Sequence, residues 1–312
     1  MAAIRKSEEM AGNSTRVLIP VDFSPKGNLA LKVGFELARR LSRKVTLLHA
    51  SVIADPMIEP QFPDDFNGMD NENAEIEEME LTEEVHEIDE KSMKDLKTKL
   101  KRLQTSGDYP DIEFDTVIAP GMPEEVIAEY CANTPPTVIV MATRGRVKRH
   151  EELVGSVTAE VIDHCLAPTF TVPEDYTFAG FKDIVRICAL CNFEDGDISA
   201  ISNLMEMFGN PEVKIYLFPA VDKYKGAQLS ANLQQLQERL APEYPNSEFI
   251  VGTPENMKNL REEAEAMFAS QSIQMILVPN RKRNPIARFF NPGLAHKILY
   301  EADIPMLAFP VK

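Results

Sequence analysis

The chain has 312 residues, a formal net charge of −16 and 44% hydrophobic residues. This length suits two domains of ordinary size. The acidic excess disfavours nucleic acid as a general ligand, and the sequence has neither an apolar run of transmembrane length nor a signal-peptide pattern. We therefore expect a cytoplasmic protein that binds neither nucleic acid nor membranes.

Short apolar strands alternate with helical patterns along the first part of the chain. Arg16 to Val21 predicts the first strand, and Ser24 with Pro25 predicts the N-cap and first turn of a helix. Further strands are predicted at residues 45–50, 114–118, 137–141 and 169–172. Five strands with crossover helices predict a doubly wound, Rossmann-like α/β domain built on a parallel sheet. Ligands of such sheets bind beyond the carboxyl ends of the strands.

An acidic segment interrupts this pattern after the second strand. Residues 55–90 contain fifteen Asp or Glu and no Lys or Arg. Their first part is rich in turn residues and predicts a loop, whereas the later part regains helical spacing and predicts a long surface helix. Two interpretations remain open: a solubilising excursion, or an acidic segment that shields a basic site or docks a partner. The helical spacing is carried by Val85, Ile88, Leu96, Leu100 and Leu103.

The chain contains two copies of one unit. The stretch from Ile139 to Pro173 is matched without a gap by the stretch from Ile276 to Pro310, 137 positions later. Near the front of the unit, Val21-Asp22-Phe23 is matched by Cys191-Asn192-Phe193, 170 positions later. The repeat predicts a flexible N-terminus at 1–15, a first domain at 16–175 with the insertion near 55–90, and a second domain at 181–312.

A loop of spaced glycines follows the fourth predicted strand. Such a loop, with a helix behind it, lets the backbone approach an anion and points free N–H groups at phosphate. Arginines within it can form charge-assisted bonds to phosphate oxygens. The candidate residues of this loop and its flanks are Met141, Ala142, Arg144, Gly145, Arg146, Gly155, Ser156 and Val157.

The motifs Pro20-Val21-Asp22-Phe23-Ser24, Gly121-x-Pro123 and Ala142-x2-Gly145-x9-Gly155-Ser156 resemble the universal stress protein domain. The resemblance covers nearly the whole chain as a tandem pair. It implies a site for ATP or a related adenine nucleotide, with Mg²⁺ as a companion ion. Pro20, Val21 and Asp22 would contact the adenosine part, and the glycine loop with Ser156 the phosphates. Ala142 departs from the family, which has glycine there; the methyl weakens binding only if the position needs a positive φ or close backbone approach.

The second copy has exchanged the residues that would form the cradle. Asn192 replaces Asp22, Lys282 replaces Gly145, and Pro292 replaces Gly155. Proline removes an N–H donor and fixes φ, so we expect no phosphate cradle in this copy.

These observations and the resemblance together imply a stress-response protein that binds ATP or a related adenine nucleotide in its first domain as a regulatory ligand, with a structural or regulatory second domain. No catalytic residues and no metal site are expected, although slow ATP hydrolysis is left open. The alternative is a scaffold that binds no nucleotide and uses the fold and the acidic segment for protein partners. The final strands of the two copies are expected to pair in an intramolecular pseudo-dimer, or the chain forms a homodimer.

Overall fold

The computed structural model describes residues 16–52, 71–143, 156–209, 211–220, 226–256, 259–281 and 303–311, with only the backbone described at Lys26, 71–83, Ser156 and Arg281. The strands of these residues are β1 (Val17–Pro20), β2 (Val45–Ser51), β3 (Phe114–Pro120), β4 (Val138–Thr143), β5 (Thr169–Pro173), β6 (Arg186–Cys191), β7 (Lys214–Pro219), β8 (Glu248–Val251), β9 (Met275–Arg281) and β10 (Met306–Val311). The helices are α1 (Asn28–Leu41), α2 (Asn71–Ser106), α3 (Pro123–Asn133), α4 (Ser156–His164), α5 (Asp195–Met207), α6 (Gly226–Leu240) and α7 (Leu260–Ser270).

The described strands form one ten-stranded sheet in the order β3-β2-β1-β4-β5-β10-β9-β6-β7-β8. Within the first half (β1–β5 with α1–α4) and within the second half (β6–β10 with α5–α7) the neighbouring strands are parallel. The doubly wound α/β fold predicted from the sequence is therefore confirmed. The halves meet where β5 and β10 pair antiparallel, with Thr171 opposite Met306. This is the pairing of final strands that the repeat predicts.

The internal repeat is visible in the strand registers. Ile139 pairs with Thr169, and Ile276 pairs with Met306, so both partners are shifted by 137 positions. On the other side of the first strand, Val17 pairs with Val45 and Ile187 with Ile215, both shifted by 170. The two halves therefore build the same sheet residue by residue at these strands.

The register also divides the extra residues of the first half into two additions. Val45 pairs with Phe114, and Ile215 pairs with Phe249. Val45 of β2 and its equivalent Ile215 of β7 are 170 positions apart. Their partners, Phe114 of β3 and Phe249 of β8, are only 135 apart, so the first half has 35 extra residues between β2 and β3. Gly121 and Gly252, in the turn after β3 or β8, are 131 apart, so four more residues lengthen the carboxyl end of β3. Both additions lie between Ala50 and Gly121, and the larger of them contains the acidic segment at 55–90.

Apolar side chains alternate along the strands and build a separate core on each face of the sheet, as the period of two requires. One core is continuous across the junction of the halves, where the ring of Phe181 contacts the rings of Phe170 and Phe208 at centroid distances of 5.8 and 5.3 Å. The opposite face carries two clusters, one in each half. Burial of one such phenyl ring stabilises the fold by about 1.5–3 kcal/mol.

Helix α4 lies between the two clusters of the second face. Its Val161 belongs to the cluster of the first half, whereas Ala159 and Ile162 belong to the cluster of the second half. The helix is therefore packed by both halves of the chain at once.

Helix α2 is the long surface helix predicted from the acidic segment, but its inward face was predicted wrongly at one position. Leu100 is buried, whereas Ile88 is 62% exposed. Asp89 faces the sheet instead, because the carboxyl end of β2 carries polar side chains there. One of them, Ser51, donates a hydrogen bond to the Asp89 carboxylate over 2.5 Å. The predicted loop at 55–70 lies outside the described residues. No helix among the described residues is both long enough and apolar enough to cross a membrane.

Candidate functional site

The candidate site lies at the carboxyl ends of two adjacent parallel strands. β1 and β4 are neighbours, with Val17 opposite Val138. β1 ends at Pro20. The N–H of Val21 still donates to the carbonyl of Leu48 in β2 over 2.9 Å, so the chain stays beside β2 for one more residue. The structure thus brings Pro20, Val21 and Asp22 to the same edge as the end of β4.

Asp22 is exposed at this edge and shapes the turn that follows it. Its Oδ1 accepts a hydrogen bond from the N–H of Ser24 over 3.0 Å. This is an Asx-type turn, which orients the carboxylate towards the start of the next helix. A Cβ built on Gly27 would lie 3.7 Å from the same oxygen, an ordinary van der Waals distance, so Gly27 lies next to the carboxylate.

Phe23 adopts a strained backbone conformation in this turn. Its φ is +57°, a region that costs a non-glycine residue roughly 1–3 kcal/mol. Phe193, its counterpart in the second half, repeats the conformation with φ +62°. The ring of Phe23 lies against the ring of His49 with the centroids 4.3 Å apart. The strained conformation therefore occurs after the first strand of both halves. In the first half the ring of Phe23 also packs against His49.

Ser24 is not the side-chain N-cap that the sequence predicts. A 3₁₀ turn at Pro25–Gly27 separates it from α1, and its side chain makes no capping hydrogen bond. Its Oγ is buried without a hydrogen-bond partner among the described residues. Ser24 lines a cavity of about 360 Å³ whose other wall is α2, with Asp95 and Lys99.

Ala142 lies inside β4, which continues two residues beyond the predicted end at Met141. Its Cα is opposite Val172 in a parallel pair, so its backbone is extended, and its φ is not positive. Extended backbone accommodates a Cβ without strain. The alanine therefore does not distort this strand end, whereas Met141 before it is buried in the core.

Helix α4 begins at Ser156 and places Val157, half-buried, in its first turn. Arg144, Gly145, Arg146 and Gly155 lie outside the described residues. The structure therefore describes one end of the predicted loop, at Thr143, and the helix that follows its other end.

A cluster that the sequence did not indicate ties the acidic helix to this edge of the sheet. Asp89 accepts from the Oγ of Ser51 and contacts His49 Nε2 over 3.1 Å. The other ring nitrogen of His49, Nδ1, lies 2.8 Å from the carbonyl oxygen of Val21. Both ring nitrogens of His49 therefore face oxygen atoms, one on α2 and one at the end of β1. No pattern in the sequence indicates that Asp89, forty positions later, is the partner of His49.

In the second half a carboxylate of the chain itself occupies the corresponding turn. Asp197, the counterpart of Gly27, is buried and accepts from the N–H groups of Asn192, Phe193 and Glu194 over 3.1, 2.7 and 3.3 Å. Burial raises the pKa of this carboxyl, although the three bonds oppose that shift. The three backbone N–H groups that follow β6 therefore already have a hydrogen-bond acceptor within the protein.

The family model of the universal stress protein family matches residues 13–173, about half of the chain. The chain belongs to the universal stress protein family. Universal stress protein MJ0577 of Methanocaldococcus jannaschii is 28% identical over 160 residues, which cover 50% of this chain and 93% of that protein. A solved universal stress protein from Archaeoglobus fulgidus has a TM-score of 0.65 at 15% identity, covering 96% of this chain and 99% of that chain. The functionally unknown protein PA1789 from Pseudomonas aeruginosa has a TM-score of 0.55 at 12% identity, covering 95% of this chain and 92% of that chain.

These likenesses extend the universal stress protein fold to nearly the whole chain, since both structural matches span the two halves together. At 15% and 12% identity they speak for the fold alone. Among the described residues no group of three or more His, Cys, Asp or Glu side chains is arranged to hold a metal ion.

Proposed function

We propose that the first half binds ATP or a related adenine nucleotide as a regulatory ligand, in the crevice between the ends of β1 and β4. One observation carries this: the strand end with Pro20, Val21 and Asp22 lies beside the strand end with Ala142. In doubly wound sheets such an edge is where ligands bind. Asp22 would accept from ribose hydroxyls, because the residue is exposed and lines a cavity at this edge of the sheet.

The phosphates would lie against the loop of Arg144, Gly145 and Arg146 and the start of α4. A helix N-terminus offers free N–H groups and a favourable dipole to anions. Mg²⁺ would accompany the nucleotide through its phosphate oxygens. The extended backbone of Ala142 supports this assignment, because the methyl group imposes no strain there.

We propose that the chain has two domains, at 16–175 and 181–312. The second domain would serve a structural or regulatory role. Asp197 supports this, because it already satisfies the backbone donors of the equivalent turn. We propose that the nucleotide is a ligand and not a substrate. The wild-type protein should then release ADP from ATP no faster than the Asp22→Ala variant does. The cytoplasmic location stays a prediction from the sequence, whereas the sequence does not choose between a monomer and a homodimer.

Calorimetric titration of ATP with Mg²⁺ into the wild-type protein tests the proposal. Gly145→Lys and Asp22→Asn, which install the residues of the second half, should each weaken binding at least tenfold, about 1.4 kcal/mol. Glu125→Gln removes an exposed carboxylate elsewhere and should leave the affinity within twofold. A wild-type protein that takes up no ATP at millimolar concentration would overturn the proposal.

A further inference from the structure

His49 contacts the residues on both sides of Asp22. Its Nδ1 lies 2.8 Å from the carbonyl oxygen of Val21, and its ring lies against the ring of Phe23 with the centroids 4.3 Å apart. Phe23 has a φ of +57°, a strained conformation that persists only where the surroundings hold it. The histidine is therefore placed to hold the turn that carries the Asp22 side chain.

Asp89 of the acidic helix α2 holds the histidine. Its Oδ1 lies 3.1 Å from His49 Nε2, and its Oδ2 accepts a hydrogen bond from the Oγ of Ser51 over 2.5 Å. The side chains of His49 and Asp89 are only 12% and 14% exposed, so water competes little for these contacts. Both carboxylate oxygens are thus engaged with β2. Asp89 therefore connects α2, through one imidazole ring, to the strand end that carries Asp22.

The second half holds the same kind of turn differently. Phe193 repeats the strained conformation with φ +62°, but Pro219 stands at the position that corresponds to His49, 170 positions later. Asp197 holds this turn instead, because its carboxylate accepts from three backbone N–H groups. The strained turn by itself therefore does not require a histidine, and His49 occurs in the half that keeps the spaced glycines.

We propose that His49 and Asp89 are positioning residues for Asp22, through which the acidic helix α2 sets the affinity of the nucleotide site. The inference rests on the proposed function, which assigns Asp22 to the ribose hydroxyls. Without the Asp89 carboxylate the His49 ring would lose its fixed orientation, and the strained turn would relax and move Asp22 from its ligand. Because coupling between two sites is reciprocal, bound nucleotide would also stabilise α2 against the sheet. Helix α2 would then be a part of the binding site.

A double-mutant cycle in calorimetric titrations of ATP with Mg²⁺ tests the positioning role. Asp89→Ala should weaken binding about fivefold in the wild-type background but less than about twofold in the Asp22→Asn background, where the supported contact is already lost. Glu87→Ala removes an exposed carboxylate from the same helix and should leave the affinity within about twofold in both backgrounds. Equal losses from Asp89→Ala in the two backgrounds, or no loss in the wild type, would overturn the proposal.

A second measurement needs no nucleotide. The N–H of Ser24 donates to Asp22 Oδ1, so its hydrogen exchange, followed by NMR, shows whether the carboxylate keeps its place. Asp89→Ala should accelerate this exchange about threefold, and Glu87→Ala should leave it unchanged. Unchanged exchange in Asp89→Ala would overturn the positioning role. A wild type that takes up no ATP would instead refute the nucleotide proposal, and the exchange of Ser24 would still decide whether Asp89 positions Asp22.

His49→Phe provides a second variant in case Asp89→Ala does not fold. It keeps an aromatic ring beside Phe23 and removes both ring nitrogens, so it should reproduce the weaker ATP binding and the faster exchange at Ser24. Circular dichroism would confirm that each variant folds. A folded His49→Phe with wild-type affinity and wild-type exchange would contradict the proposal.

Discussion

The side-chain amide of Asn280, at the end of β9, donates a hydrogen bond to the carbonyl of Ile162 in α4 over 2.6 Å. This bond joins the two halves of the chain. It also satisfies a carbonyl in the last turn of α4, which has no partner within the helix. The helix proposed to bind phosphate at one end is therefore held at the other end by the second half.

Asn280→Ala should lower ATP affinity in the first half about fivefold, since the hydrogen bond contributes about 1 kcal/mol. Hydrogen exchange of the α4 amides should also accelerate, and this readout remains if no nucleotide binds. Asn246→Ala, at an exposed position between α6 and β8, is the matched control. Unchanged exchange in α4 would show that Asn280 does not position the helix.

Phe181→Ala should destabilise the whole protein by about 3–5 kcal/mol, because the ring fills the core at the junction of the halves. Since one core crosses the junction, both halves should lose stability together in urea. Val185→Ala, four residues later and 37% exposed, should cost less than about 0.5 kcal/mol. Two separate transitions, with only one of them shifted, would contradict a shared core.

Asp197 should make the protein lose stability as pH rises. Burial raises the pKa of this carboxyl above its ordinary value of 3.8, so the folded state binds a proton more tightly than the unfolded state does. Stability then falls as pH increases from about 3.8 through the raised native pKa, with a slope of at most about 1.4 kcal/mol per pH unit.

Asp197→Asn removes this titration. The difference in unfolding free energy, wild type minus variant, should therefore decrease between pH 4 and pH 7 in urea denaturation series. A difference that stays constant or grows with pH would contradict the raised pKa. Asp195→Asn in the same turn, where the side chain is 99% exposed, is the control for a general charge effect.

Ala142→Gly tests the departure from the family motif. Because Ala142 is extended within β4, restoring glycine should change ATP affinity less than threefold. A tenfold gain, measured by calorimetry, would instead mean that the methyl group blocks the approach of the ligand.

Much of the fold could be predicted from the sequence because the strands carry regular apolar patterns and occur twice. The repeat predicted the equivalence of the two halves, and the strand registers at Ile139 and Ile276 agree with it. The start of the first helix was predicted less well. Ser24 and Pro25 form a typical N-cap signal, yet a 3₁₀ turn precedes α1 and the Ser24 hydroxyl has no hydrogen-bond partner among the described residues. Local preference could not reveal that Pro25–Gly27 would form a 3₁₀ turn before α1 begins.

The sequence by itself determined the five-stranded units, their duplication and the asymmetry between Asp22 and Asn192, because each is written in local patterns of apolar and turn residues. Only the tertiary structure decided which side of α2 faces the sheet. Helical spacing favoured Ile88, but Asp89 meets Ser51 and His49 there, and Ile88 is left exposed. The inward face of a helix depends on the groups opposite it, and those groups come from a strand some forty positions earlier in the chain.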